Sequence, residues 1–176
     1  MSEGAEIPRA NEVASMPASY QEVLSEAPYR LRRRVRWADC DAGNIVYTPN
    51  FLDYAVETVE SWFEATMGVH WSRIAPDLGI GHPFVRCELD FHRMLSCGDA
   101  FLMTLNVEAV NRSSYAVVVS GDDLAGTRCF DARLIAAWIS IETNAAIAIP
   151  EPYRQRIDAY RRAAAIDAGG ETRRDA

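Results

Sequence analysis

The chain has 176 residues, 49% of them apolar and 24% charged, which suits one domain with a single core. A formal charge of −7 excludes a general nucleic-acid binder, because phosphate contacts need a surplus of Lys and Arg, but it leaves room for a local basic patch that holds one phosphorylated small molecule. No window approaches the ~20 apolar residues that span a bilayer, and Glu3, Glu6 and Pro8 stand where a secretory signal has its apolar core, so no membrane partner and a cytoplasmic address are expected.

Residues 1–28 mix Ser, Glu, Ala and Pro without periodicity and read as an N-terminal tail, with at most a helical turn at residues 21–24. The pattern changes at Arg30. Leu31, Val35 and Trp37 alternate with Arg32, Arg34 and Arg36, the period-two signature of a strand with one wet face. Arg33 interrupts the apolar row, which marks either a sheet edge or a nearby ligand. An edge is the simpler expectation, since charge on an edge strand blocks unwanted pairing.

Residues 50–67 have the spacing of an amphipathic helix, with Leu52, Ala55, Val56, Val59, Trp62, Phe63 and Met67 on one face. Asn50 is expected to cap it, Asp53 falls in its first turn and Gly68 suits its stop. A Pro- and Gly-rich loop follows. Four strands are then predicted over residues 84–92, 100–110, 115–120 and 127–141, separated by turns at Gly98-Asp99, Arg112-Ser113-Ser114 and between Gly121 and Gly126. Pro150 and Pro152 mark a boundary. Beyond it Tyr153, Ile157, Tyr160 and Ala164 predict a helix that packs on the body or frays, and the chain from about residue 168 reads as polar tail. The expected organisation is therefore a tail over 1–28, a folded domain over 29–149 and a C-terminal helix and tail over 150–176.

A strand, one long apolar helix and four antiparallel strands define an α+β arrangement. A curved antiparallel sheet wrapped around the central helix covers its apolar face, which is the layout of a hotdog fold. Such a sheet leaves an edge or a face free, so a homodimer or homotetramer is expected.

The chemistry centres on the stretch Asp39-Cys40-Asp41-Ala42-Gly43-Asn44-Ile45-Val46-Tyr47-Thr48-Pro49-Asn50, which sets carboxylates and a small-residue turn just ahead of the helix N-terminus. A carboxylate can attack a carbonyl or activate water, and the N–H groups at a helix start can stabilise an oxygen that is gaining charge. That pairing points to acyl transfer. The histidines His70, His82 and His92 are scattered without metal-ligand spacing, and the cysteines Cys40, Cys87, Cys97 and Cys129 show no CxxC pair, so no metal and no cofactor are expected. Glu57 and Glu60 belong to an acidic stripe with Asp53 and Glu64, which reads as a solvated helix face.

The run from Val35 to Phe63, with its Asp-Cys-Asp-Ala-Gly-Asn-Ile-Val-Tyr lead into the helix, closely resembles the 4-hydroxybenzoyl-CoA thioesterase family of hotdog proteins and its D-x-D-x-x-G-(I/V)-V-(Y/W) signature. The likeness extends through Pro83-Phe84-Val85, Gly98-Asp99 and Ser114-Tyr115 over roughly residues 30–142. It implies an acyl-CoA thioesterase in which Asp41 supplies the catalytic carboxylate, as nucleophile or general base, and backbone N–H groups at Tyr47 and Thr48 stabilise the oxyanion. Pro49 has no N–H to offer. The resemblance places coenzyme A phosphates near Arg112 and Ser114. It places the acyl pocket near Tyr54 and Val56, where Val56 replaces a carboxylate and implies an aliphatic or plain aromatic acyl group. Asn44 departs from the family Gly, although Asn tolerates the left-handed conformation such a turn needs. Two rival readings are a non-catalytic acyl-CoA or acyl-carrier binding module, which a disturbed turn at Asn44 would favour, and a hotdog hydratase, which lacks its D-x-N-P-x-H motif here.

Overall fold

The computed structural model describes residues 20–171, with side chains to residue 165, so most of the expected N-terminal tail and the last five residues lie outside the described residues. The expected helix forms over Asn50–Met67 (α1), and one six-stranded antiparallel sheet packs against it. The strands are β1 Gln21–Glu26, β2 Tyr29–Arg34, β4 Phe84–Phe91, β5 Ala100–Val110, β6 Ser114–Asp123 and β7 Arg128–Ala137. Their order across the sheet is β1-β2-β5-β6-β7-β4. A two-stranded pair, β3 Ile80–Gly81 with β8 Ile139–Ser140, sits beside it. The fold is the hotdog arrangement expected from the element order. Among the described residues no helix is long and apolar enough to cross a membrane.

The period-two pattern decides which face meets α1. Phe101, Met103 and Leu105 of β5, Tyr115, Val117 and Val119 of β6, and Phe130, Ala132, Leu134 and Ala136 of β7 are all buried. They meet the buried stripe of α1, which runs Phe51, Tyr54, Ala55, Thr58, Val59, Trp62, Phe63 and Met67. Full burial of each large apolar side chain in this layer contributes roughly 1.5–3 kcal/mol. One glycine sets the packing: a Cβ at Gly121 would overlap the Phe130 ring, which fills that space and stacks edge-on against Phe51 with centroids 5.1 Å apart.

Four local expectations are corrected. Residues 21–26 form strand β1 where a helical turn was the most expected; its outer face is exposed, so no apolar alternation marked it. Arg33 does not lie on an edge, because β1 covers β2. Its side chain is 5% exposed and points inward with the apolar row, ion-paired to Glu57 and stacked 4.1 Å from the Tyr54 ring centroid. Trp37 leaves the strand for a 3₁₀ turn over Trp37–Asp39 and is 83% exposed. The Pro- and Gly-rich loop contains an eight-residue helix, α2 Trp71–Leu78, started by the His70 side chain accepting the Ser72 N–H and stopped at Gly79 with φ 65°.

The C-terminal helix α3, Glu151–Glu171, docks on the body and continues past residue 168, where a polar tail was expected. Ile157, Tyr160 and Ala164 are buried as their spacing predicted. The Tyr160 hydroxyl accepts the Tyr29 N–H at 2.8 Å and donates to the Leu105 carbonyl at 2.5 Å. Burial, offset in part by the Tyr29 amide, pushes that hydroxyl's pKa up to about 12. Arg156 donates to the Met67 carbonyl at 2.5 Å and so closes the C-terminal end of α1, where Gly68 turns the chain at φ 65°.

Candidate active site

The loop between β2 and α1 is organised by Asp39, not by Asp41. Asp39 is 3% exposed, and its carboxylate takes a paired contact from the Arg36 guanidinium, 2.7 Å from Nη2 and 3.0 Å from Nε, as well as the Arg36 N–H at 3.0 Å. Burial works to raise its pKa, but the Arg36 hydrogen bonds outweigh it and hold the carboxyl below the usual range. The Asp39 carbonyl accepts the Tyr47 N–H at 2.9 Å and the Asn50 amide at 2.7 Å. One residue therefore ties the start of the loop to the start of the helix. Asn50 was expected to cap α1; instead Pro49 occupies the cap position without a side-chain bond, and the Asn50 side chain serves Asp39.

Asp41 stands exposed on the turn that this frame supports. Its Oδ1 accepts the Gly43 N–H at 2.7 Å, its carbonyl accepts the Asn44 N–H at 3.0 Å, and its own N–H donates to Ile45 at 2.9 Å. Asn44 takes φ 58°, the left-handed conformation that lets it replace glycine here. Its carbonyl accepts the Cys97 N–H at 3.4 Å, and Ile45 bridges to Ser96, so the turn rests on the β4–β5 connection.

The two expected oxyanion donors part company. The Tyr47 N–H is already committed to Asp39. Among the described residues nothing accepts the Thr48 N–H, and the next amides are used within the first turn, Asn50 to Tyr47 and Phe51 to Thr48. Thr48 also lines an open cavity of about 280 Å³ whose walls are Ile45, Val46, Phe51, Phe91 and the segment from His92 to Leu95. Phe51 and Phe91 meet edge-on at 5.2 Å, giving it an apolar aromatic floor.

The other expected site residues lie elsewhere. Tyr54 is buried beneath Arg33, outside the cavity wall. Its hydroxyl makes no well-formed hydrogen bond, yet burial and then the nearby Asp39 carboxylate push its pKa up. Val56 is half-buried against the core and does not line the cavity either. Arg112 and Ser114 occupy the β5–β6 turn, whereas the Asp41 turn lies at the opposite end of β5. Eleven residues of strand put them on the order of 30 Å apart within one protomer. Sequence reasoning missed Phe51, Phe91 and the His92–Leu95 wall. No sequence signal marked them: only the sheet order, with β4 at an edge, brings the end of that strand beside the helix start. Among the described residues no group of three or more His, Cys, Asp or Glu is placed to hold a metal ion.

His82 lies in the connection between β3 and β4 and is buried at the far end of α1. Its ring lies 4.6 to 5.3 Å from those of Trp71, Trp138, Phe63 and Tyr115, and neither ring nitrogen has a partner. Burial drives its pKa down to about 3.

An antiparallel sheet wrapped on one helix, with an open cavity at that helix's start, is the frame of a hotdog thioesterase. Comparison with known proteins agrees, since residues 35–157 match the family model described as the thioesterase-like superfamily, and the chain belongs to that family. A 1,4-dihydroxy-2-naphthoyl-CoA hydrolase of Thermosynechococcus vestitus is 25% identical over 130 residues, covering 73% of this chain and 88% of that protein. The crystal structure of a 1,4-dihydroxy-2-naphthoyl-CoA thioesterase from Synechocystis superposes with a TM-score of 0.69 at 22% identity, covering 73% of this chain and 94% of the other. A 4-hydroxybenzoyl-CoA thioesterase mutant complexed with 4-hydroxybenzoyl-CoA superposes at 0.67 and 19% identity, covering 79% and 99%.

Proposed function

We propose that this protein hydrolyses an acyl-CoA thioester, with Asp41 as the catalytic carboxylate and the Thr48 N–H as the oxyanion donor. The observation that carries the reading is the unpartnered amide of Thr48 at the start of α1, a residue that lines the open cavity together with Ile45 of the Asp41 turn. Either Asp41 takes a proton from a water that adds to the thioester carbonyl, or Asp41 itself adds and forms an acyl anhydride that water hydrolyses after coenzyme A has left. The oxygen gains negative charge against the Thr48 N–H and the helix N-terminus, and coenzyme A leaves as its thiolate. The left-handed Asn44 supports catalysis over mere binding, because the turn closes in spite of the substitution. Single turnover in ¹⁸O-water separates the two roles of Asp41, since only a nucleophile acquires label in its own carboxylate.

The cavity's aliphatic and aromatic walls favour an apolar acyl body. The relatives' names make 1,4-dihydroxy-2-naphthoyl-CoA the first substrate to assay. The direct test is Asp41→Asn against a panel of aromatic and aliphatic acyl-CoAs; turnover near that of the parent protein on every substrate would sink the assignment.

A second copy completes the site in this reading. β4 is an edge strand with Val85 and Phe91 exposed, and a free edge of that kind pairs readily. Antiparallel pairing of two β4 strands reverses one sheet against the other. The β5–β6 turn of one copy then lies at the cavity end of its neighbour, which is how Arg112 and Ser114 would reach coenzyme A phosphates.

A further inference from the structure

Two free thiols lie on segments that are hydrogen-bonded to each other beside the Asp41 turn. Cys40 is the residue between Asp39 and Asp41, Cys97 lies in the β4–β5 connection, and both are half-buried. Backbone bonds hold the two segments together: the Gly98 N–H donates to Val35 at 3.0 Å, Val35 donates to Asp99 at 2.9 Å, and Cys97 donates to Asn44 at 3.4 Å. The Cys40 thiol turns back to the Arg36 carbonyl at 3.6 Å, and Arg36 follows Val35, the residue that Gly98 contacts. Burial first, and then the Cys97 thiol, raise the Cys40 pKa. Cys87 and Cys129 stand apart on β4 and β7.

We propose that Cys40 and Cys97 are a modification site, a dithiol that a peroxide oxidises to a disulfide and that thereby disarms the Asp41 turn. The inference rests on the assignment of Asp41 as the catalytic carboxylate. One thiolate attacks a peroxide oxygen, forming an S–O bond as the O–O bond breaks; the other peroxide oxygen leaves and takes a proton. The second thiol then attacks the sulfenic sulfur, and its proton goes to the displaced hydroxide, which leaves as water. In balance, two thiols and one hydrogen peroxide give one disulfide and two waters. The new bond draws the sulfurs to about 2.05 Å, and the pull falls on the backbone immediately before Asp41. Reduction by a thiol restores the pair.

The test uses the full chain. Reduced protein is treated with hydrogen peroxide, its remaining thiols are alkylated after unfolding, and the digest is mapped. We expect one peptide pair joined through Cys40 and Cys97, an intact mass lower by two hydrogens, and altered amide exchange over residues 41–46. Thioester hydrolysis falls on the order of 10²-fold, the scale of an ångström's misplacement at a reacting centre, and returns with dithiothreitol. Cys97→Ser keeps its activity through the same treatment, and Cys87→Ser remains sensitive. Failure to link Cys40 to Cys97 at peroxide levels that oxidise Cys87 overturns the proposal, as does a link that leaves both exchange and hydrolysis unchanged. Should the reduced protein cleave no thioester, the functional reading has failed on its own account, and linkage and exchange still decide this one.

Discussion

The two ends of α1 solve opposite problems. At its start the polar groups are numerous and nearly all satisfied: the Asp39 carboxylate by Arg36, the Asp39 carbonyl by Tyr47 and Asn50, the Asp41 turn by its own backbone. Among the described residues the Thr48 amide, at the helix start itself, has no acceptor. At the other end the surroundings are dry and aromatic, and His82, Tyr115 and Trp138 bury polar atoms that nothing satisfies. An unpaired donor beside a solvent-open cavity costs little and remains available to a ligand. Unpaired groups inside a sealed aromatic cluster cost stability and offer nothing to substrate. The contrast assigns chemistry to the first end and anchoring to the second.

Substitutions at the two ends should separate those roles. The largest effect is expected for Asp41→Asn, which should lower turnover roughly 10²–10⁴-fold while leaving the melting temperature unchanged. Thr48→Ala should leave turnover near the parent level, because the N–H survives; a large loss would show that the hydroxyl, and not the amide, does the chemistry. At the far end, His82→Phe should leave turnover unchanged and relieve about 1–3 kcal/mol of unsatisfied burial, measured by urea denaturation.

The sign of the pH effect follows from the lowered His82 pKa. His82 titrates near 6.5 in the unfolded chain and near 3 in the folded one. Between those values the unfolded chain holds more protons, so stability falls as pH drops through that window. His82→Phe should flatten this limb. What remains should lie lower, where the depressed carboxyls of Asp39 and Asp131 lose their contribution as they protonate. An acid limb identical in both proteins would break the comparison.

Two smaller effects sharpen it. Glu57→Gln leaves the buried Arg33 with the Tyr54 ring and Gln21, and should cost about 1–2 kcal/mol, less than a fully buried pair because Glu57 is half exposed. Asn44→Gly should gain a few tenths of a kcal/mol, since glycine meets no steric penalty at φ 58°; a loss would mean that the Asn side chain holds something in the turn.

The sequence was most readable where burial is one-sided and long. Helix α1 begins and ends on the residues its periodicity marked, and the bounds of β5 were expected to the residue. The helix α2 escaped because it buries only Ile74 and carries Pro76 inside it. Arg33 misled because a charge in an apolar row has two physical explanations, and only tertiary structure supplies Glu57 and Tyr54 as partners. At the site, the Asp41 turn was legible as a local motif. The cavity wall was not, since Phe51 and Phe91 lie forty residues apart in the chain and meet only through the sheet. The commitment of the Tyr47 amide to Asp39 is likewise a matter of backbone geometry that residue types do not encode.

The Tyr160 hydroxyl occupies a place where a strand would ordinarily bond its neighbour. It stands between the Tyr29 amide and the Leu105 carbonyl, partners across β2 and β5, and closes that rung with a phenol from the far end of the chain. The consequence concerns the order of assembly. The hairpin of β1 and β2 is made early in synthesis, yet its seam with β5 cannot be completed until α3 has been made and docked, 131 residues later. Contacts so distant in sequence close slowly, so this first hairpin is expected to be the last part of the sheet to become protected from solvent exchange.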